Sequence, residues 1–288
     1  MSGNDPSAGP GGVPWVSTGC VTGARHLREG KVCQDAVLAV RQGDFVATAV
    51  ADGHGTCKFG DIGANRAVEV AVSMLLQFAA GVHAQHPVEL RSVHQYAEHP
   101  LRIQITREWA SRVREHAASP DAELAPYGST LLFALATPAF LLMGQLGDGD
   151  ILLVDAAGAV SRPIATDARN FAEETASLCQ NEPWLEIRLR TIPSPDTEAL
   201  LLMSTDGYSK SYATDALFET IGSDYRDLFR EHQDTGVTSQ LPGFLREVTT
   251  QGSGDDIALS MLYWPKSAGV PPQDGDAPQG TTREELKP

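Results

Sequence analysis

Apolar positions in this chain follow two periods, and the periods separate strands from helices. Residues 36–40 and 45–51, "AVLAV" and "FVATAVA", are short apolar runs that read as strands. From 62 to 80, Val68, Val72, Leu75, Leu76 and Ala79 recur at helical spacing. A second helix is expected over 101–117, with Ile105, Trp109 and Val113 on one stripe. "STLLFALA", "AFLLMGQL" and "ILLVDAAGAV" then read as a strand meander, with turn chemistry at 147–150 and 155–158. "ALLLMS" and "DIALSMLYW" read as two more buried strands, with helical stretches near 214–221 and 239–250 between them. Strand clusters interrupted by paired helices predict an α+β fold of stacked antiparallel sheets covered by helices. The segment 83–126 is longer than a simple connection and is expected to supply a covering helix or a regulatory insert. No internal repeat is visible.

Composition sets the limits of this reading. Residues 1–14 are rich in Gly, Pro and Ser, and 266–288 have low hydrophobicity, so both are expected to be disordered tails around a working domain at 15–265. With 42% hydrophobic residues the chain can bury the core of one large domain. No apolar run reaches membrane-spanning length, and the first residues lack a signal-peptide pattern, which predicts a cytoplasmic protein with no membrane partner. A formal net charge of −15 argues against nucleic acid as a partner, because counterion displacement needs clustered Lys and Arg. The four cysteines, Cys20, Cys33, Cys57 and Cys179, form no C-x-x-C pair and read as free thiols.

Acidic residues recur where apolar strands stop. Asp52 follows "FVATAVA", Asp148 follows "FLLMGQLG", Asp206 follows "LLLMST", Asp255 precedes "IALSMLYW", and Asp35 precedes "AVLAV". An Asp at a strand end is commonly a turn former, and Asp148 and Asp150 in "GDGD" fit that reading singly. Taken together, the five positions would let carboxylates from separate strands converge at one end of a sheet. Converging carboxylates repel unless a cation lies among them, and magnesium or manganese is the usual choice for such oxygen donors. His54, two residues beyond Asp52, has a near-neutral pKa suited to proton donation to a substrate held there.

The motifs "ADGHGTCKFGDIGA", "YGSTLLFAL", "GQLGDGDILLV", "LLLMSTDGYSKS" and "GSGDDIALSML", in that order after "CQDAV", resemble the bacterial branch of the protein phosphatase 2C family over about 19–262. The resemblance implies a four-layer α-β-β-α sandwich carrying two Mn2+ or Mg2+ ions, with a weaker third. It implies hydrolysis of phosphoserine and phosphothreonine in a protein substrate by a metal-activated water. By position, Asp52 and the Gly53 carbonyl resemble metal ligands, Asp206 and Asp255 the remaining direct carboxylates, and Asp148 a holder of the third metal. Asp35 resembles the acidic residue that acts near the centre through water, and His54 the general acid. Gly128, Ser129 and Thr130 match a structural motif at a strand start. A cognate Ser/Thr kinase is the counterpart the family suggests.

Departures from the family pattern are informative. The arginine that grips substrate phosphate in many members falls here at about Gly30, leaving Lys31, Arg25 or His26 to substitute. Lysine cannot reproduce the bidentate guanidinium fork. Gln34 stands where glutamate is common, Asp256 where asparagine is common, and Lys210 where many members have an acidic metal ligand. The alternative function is therefore a catalytically weak phosphatase-like domain that binds partner proteins. No G-x-S-x-G, H-E-x-x-H or G-x-x-x-x-G-K-[ST] motif supports another hydrolase class.

Overall fold

The computed structural model describes residues 12–84, 88–165 and 175–266. The expected tails fall almost wholly outside the described residues. Along the chain the elements are β1 (Trp15–Val21), α1 (Ala24–Glu29), β2 (Asp35–Gln42), β3 (Phe45–Asp52), α2 (Gly60–His83), α3 (Leu90–Tyr96) and α4 (Arg102–His116). They continue with β4 (Leu131–Ala136), β5 (Phe140–Leu146), β6 (Asp150–Val154), β7 (Val160–Ser161), β8 (Arg188–Pro193), β9 (Ala199–Ser204), α5 (Asp206–Ser209), α6 (Asp215–Gln251) and β10 (Ile257–Trp264).

The strands form two five-stranded antiparallel sheets, ordered β1-β10-β9-β6-β7 and β2-β3-β4-β5-β8. The central strands are apolar throughout because each is buried on both faces. In β3, Ala47, Ala49 and Ala51 face α2, while Val46 and Val50 face the other sheet. In β10, Leu259 and Met261 face α6, while Ala258 and Leu262 face inward. Three apolar layers result, one between the sheets and one under each helical cover, as the α-β-β-α expectation requires. One polar pair bridges the two sheets: Thr48 Oγ1 lies 2.6 Å from Ser260 Oγ.

The segment 83–126 does supply cover, with α3 against β8 and α4 against α2. Trp109, fully buried on the predicted stripe, donates its indole N–H to the Gly63 carbonyl of α2 at 3.0 Å. The stretches 214–221 and 239–250 fall in the two helical arms of α6, the first capped by Thr214 Oγ1 accepting from the Leu217 N–H at 3.2 Å. The arms are separated at Gln233, whose φ of 57° and ψ of −173° are not helical.

One expectation is corrected. β4 and β5 form the predicted hairpin, but β6 does not continue the meander; it joins the opposite sheet beside β9. The "GDGD" turn is thus a crossing between sheets. Gly147 takes a φ of +96°, and a Cβ at Gly149 would lie 2.6 Å from the Ser204 carbonyl oxygen, so only glycine fits this tight passage. The crossing leaves Asp148 at the sheet ends. Among the described residues no helix is long and apolar enough to cross a membrane.

Candidate active site

The five strand-end aspartates line one cleft where the two sheets open. Asp35 begins β2 and pairs in register with Asp52, which ends β3. Asp206 begins α5 directly after β9, Asp255 precedes β10, and Asp148 sits in the β5–β6 crossing. All five border the same cleft, together with Gly53, His54, Arg25, His26 and Lys210. Lys31 is not among its lining residues; its ammonium pairs with Glu29 at 2.7 Å on the surface.

The Asp52 backbone is held from a neighbouring strand. Its N–H donates to Thr130 Oγ1 at 2.9 Å, its carbonyl accepts from the Thr130 N–H at 2.9 Å, and Gly53 bridges to Ser129. A Cβ at Gly53 would fall 2.2 Å from the Gly60 carbonyl oxygen, which is why the chain needs glycine directly after Asp52. The "GST" motif therefore supports the site from behind. Gly128 goes further: its carbonyl accepts from the His54 N–H at 3.0 Å, and a Cβ there would meet His54 Cδ2 at 2.8 Å.

Burial and mutual repulsion set the electrostatics. Burial, followed by the Asp52 charge, raises the Asp35 carboxyl well above the usual carboxylate range. Asp52 is raised likewise by burial and then by Asp206, Asp148 and Asp255. Asp206 is pushed up to about 6 by burial and Asp148, with Lys210 opposing. Burial pushes the His54 imidazole down, while Asp148 partly counters it. A set of buried carboxylates that raise one another's pKa is short of positive charge.

Four of the five carboxylates have a side-chain donor. Lys210 pairs with Asp206, Arg25 Nη2 approaches Asp255 Oδ1 at 3.0 Å, Thr205 Oγ1 donates to Asp35 at 2.6 Å, and Thr175 Oγ1 donates to Asp148 at 3.0 Å. As placed, no three His, Cys, Asp or Glu side chains among the described residues converge into a coordination shell. The donor chemistry nevertheless fits hard divalent cations: carboxylate and carbonyl oxygens, and a deficit of positive charge.

Asp256 has a different task from its neighbour. It is buried, and it accepts from the Gly23 N–H at 2.6 Å, the Gln34 N–H at 2.7 Å and His26 Nδ1 at 2.9 Å. These bonds fix α1 against the start of β10. His26 is thereby committed to Asp256, while Arg25, whose side chain is 49% exposed, remains at the cleft rim. Sequence reasoning missed the Asp256 clamp and Thr205. Nothing in linear spacing couples Thr205 to Asp35, 170 residues away.

Comparison with known proteins agrees with the two-sheet architecture. The family described as "Protein phosphatase 2C" matches residues 22–246. Curated proteins give no significant sequence match. Among solved structures, the chain is similar to the S. agalactiae serine/threonine phosphatase at 16% identity and a TM-score of 0.57, covering 88% of this chain and 100% of that one. Stp1, a serine/threonine phosphatase from Staphylococcus aureus, gives 14% identity and a TM-score of 0.57, covering 92% and 99%. The catalytic domain of the serine threonine protein phosphatase PstP, in complex with two manganese ions, gives 17% identity and a TM-score of 0.50, covering 87% and 97%. With its family match spanning most of the sequence and the same two-sheet architecture, the chain belongs to the protein phosphatase 2C family.

Proposed function

We propose that this protein is a metal-dependent phosphatase acting on phosphoserine and phosphothreonine in proteins. The observation that carries this reading is the gathering of five aspartates, three of them with raised pKa values, at the open end of the two sheets. Asp52, the Gly53 carbonyl, Asp206 and Asp255 would hold two Mn2+ or Mg2+ ions, with Asp148 beside them. Such ions supply neutralising charge at the phosphoryl oxygens and a water acidic enough to attack at neutral pH.

The chain's own residues do the rest. Arg25 reaches into the cleft from its rim and suits the gripping of a phosphate oxygen, the task for which Lys31 is badly placed and His26 already engaged. His54, its ring backed by Gly128, would carry the proton to the departing serine or threonine oxygen. Asp35, with Thr205 donating to it, would orient water at the edge of the site.

The test is hydrolysis of p-nitrophenyl phosphate and of a phosphothreonine peptide, with manganese or with EDTA. Turnover is expected only with manganese and is expected to disappear in Asp206→Ala. p-Nitrophenolate leaves without a proton, whereas an alkoxide does not. His54→Ala should therefore slow the peptide by about 100-fold or more and the nitrophenyl ester far less. Arg25→Ala should raise KM for both. Equal losses on both substrates in His54→Ala would remove His54 from the proton-donor role.

The Lys210–Asp206 ion pair favours a second reading, a domain that binds partner proteins without turnover, because that lysine already neutralises one proposed ligand. Absence of hydrolysis with every metal would support it.

A further inference from the structure

Two of the four thiols, Cys20 and Cys33, are brought together beside the active site. Cys20 is the exposed penultimate residue of β1, and Cys33 lies in the loop that leads into β2. Their sulfurs are 3.7 Å apart. Both sulfurs lie within hydrogen-bond reach of the Asp35 carbonyl, at 3.5 Å from Cys20 and 3.7 Å from Cys33, and Cys33 also lies 3.8 Å from the Val21 carbonyl. The segment 21–32 between them carries α1 and, on it, Arg25 and His26. At its other side that segment is pinned by the bonds of Asp256 to Gly23 and His26 and by the Arg25 N–H donating to the Gly254 carbonyl at 2.8 Å.

We propose that Cys20 and Cys33 form a redox-sensitive pair, which a peroxide closes into a disulfide at the base of the Arg25-bearing segment and thereby weakens the active site. Exposure makes Cys20 the attacking thiol. Its sulfur takes one oxygen from hydrogen peroxide as the O–O bond breaks, giving a sulfenic acid and releasing one water. The Cys33 sulfur then attacks that of Cys20; the S–S bond forms, the S–O bond breaks, and a second water leaves with the remaining thiol proton. Both sulfurs are oxidised, and one peroxide is reduced to two waters.

Closure has a cost at Asp35. A disulfide needs its sulfurs at about 2.05 Å, so the pair must draw together by about 1.65 Å from its present separation. The movement falls on a loop two residues from Asp35, and it removes the two S–H groups within reach of the Asp35 carbonyl. Asp35 faces Asp52 across the β2–β3 pairing, so the disturbance reaches the proposed metal-binding end. Misplacement on the ångström scale at such a site costs on the order of 10- to 100-fold in rate. This consequence rests on the phosphatase reading, whereas the disulfide itself does not.

The experiment titrates the reduced full chain with hydrogen peroxide, blocks remaining thiols by alkylation, and maps tryptic peptides. Arg25, Arg28 and Lys31 lie between the two cysteines, so Cys20 and Cys33 fall on different peptides and a bridge joins them. The expected result is a Cys20–Cys33 linked peptide that dithiothreitol dissolves. Alongside it, the manganese affinity of the wild type should fall about tenfold or more on oxidation, and that of Cys20→Ser should not. No linked peptide overturns the proposal, as does a linked peptide without loss of affinity, or an equal loss in Cys20→Ser. A reduced protein that binds no manganese would refute the phosphatase reading and the regulatory consequence, while the peptide map would still decide the disulfide.

Discussion

Asp206 illustrates how a single side chain ties the site to the stability of the molecule. Its carboxyl is pushed from an ordinary 3.8 up to about 6 by burial and by Asp148. Between those values the folded chain binds more protons at this residue than the unfolded chain does, so stability falls as pH rises through the window and the contribution is lost above about 6. Melting of the protein in EDTA should therefore occur at a higher temperature near pH 5 than near pH 7. Asp206→Asn should flatten that slope, and a slope identical to the wild type would contradict the assignment. The five aspartates were readable in the sequence because each stands at the end of an apolar run. Their helpers were not. Thr205 and the Asp256 clamp depend on partners far along the chain, and only folding brings them together. Lys31 and Arg25 look equivalent in sequence, but α1 turns Arg25 toward Asp255 and leaves Lys31 with Glu29.

Among the elements, legibility followed burial. Strands β3, β4, β9 and β10 are apolar on both faces and stand out as continuous runs. By contrast β1 (WVSTGCV) and β8 (RLRTIP) mix polar with apolar residues, lie at sheet edges, and gave no clear signal. The middle of α6 was missed for a related reason. Over 222–238 the sequence is mostly polar, and only scattered residues such as Tyr225, Phe229 and Val237 reach the core. The β5–β6 connection misled because a glycine-rich turn between two apolar runs ordinarily makes a hairpin. Trp109 shows what a well-read stripe contributes. It is fully buried and ties α4 to α2 through Gly63, so Trp109→Ala should cost about 3–5 kcal/mol in urea unfolding. A loss below 1 kcal/mol would mean that α4 is not part of the cooperative core.

For the whole molecule, the fold places strand ends from both sheets around one cleft, and those ends carry like charge. The chain already has a net charge of −15, so the cleft adds local repulsion to a general one. Divalent cations bound there would relieve it, and the folded state would gain about 2.7 kcal/mol for each ion at 100 times its Kd. The family resemblance was visible in the order of motifs spread over most of the chain; the sheet order and the clamp on α1 were not. The central claim is that the strand-end carboxylates hold a pair of divalent cations, and calorimetric titration of the EDTA-treated protein with manganese near pH 7 tests it most directly. The account predicts two ions per chain, with binding lost in Asp52→Asn. Absence of binding, or binding unchanged in Asp52→Asn, would contradict it.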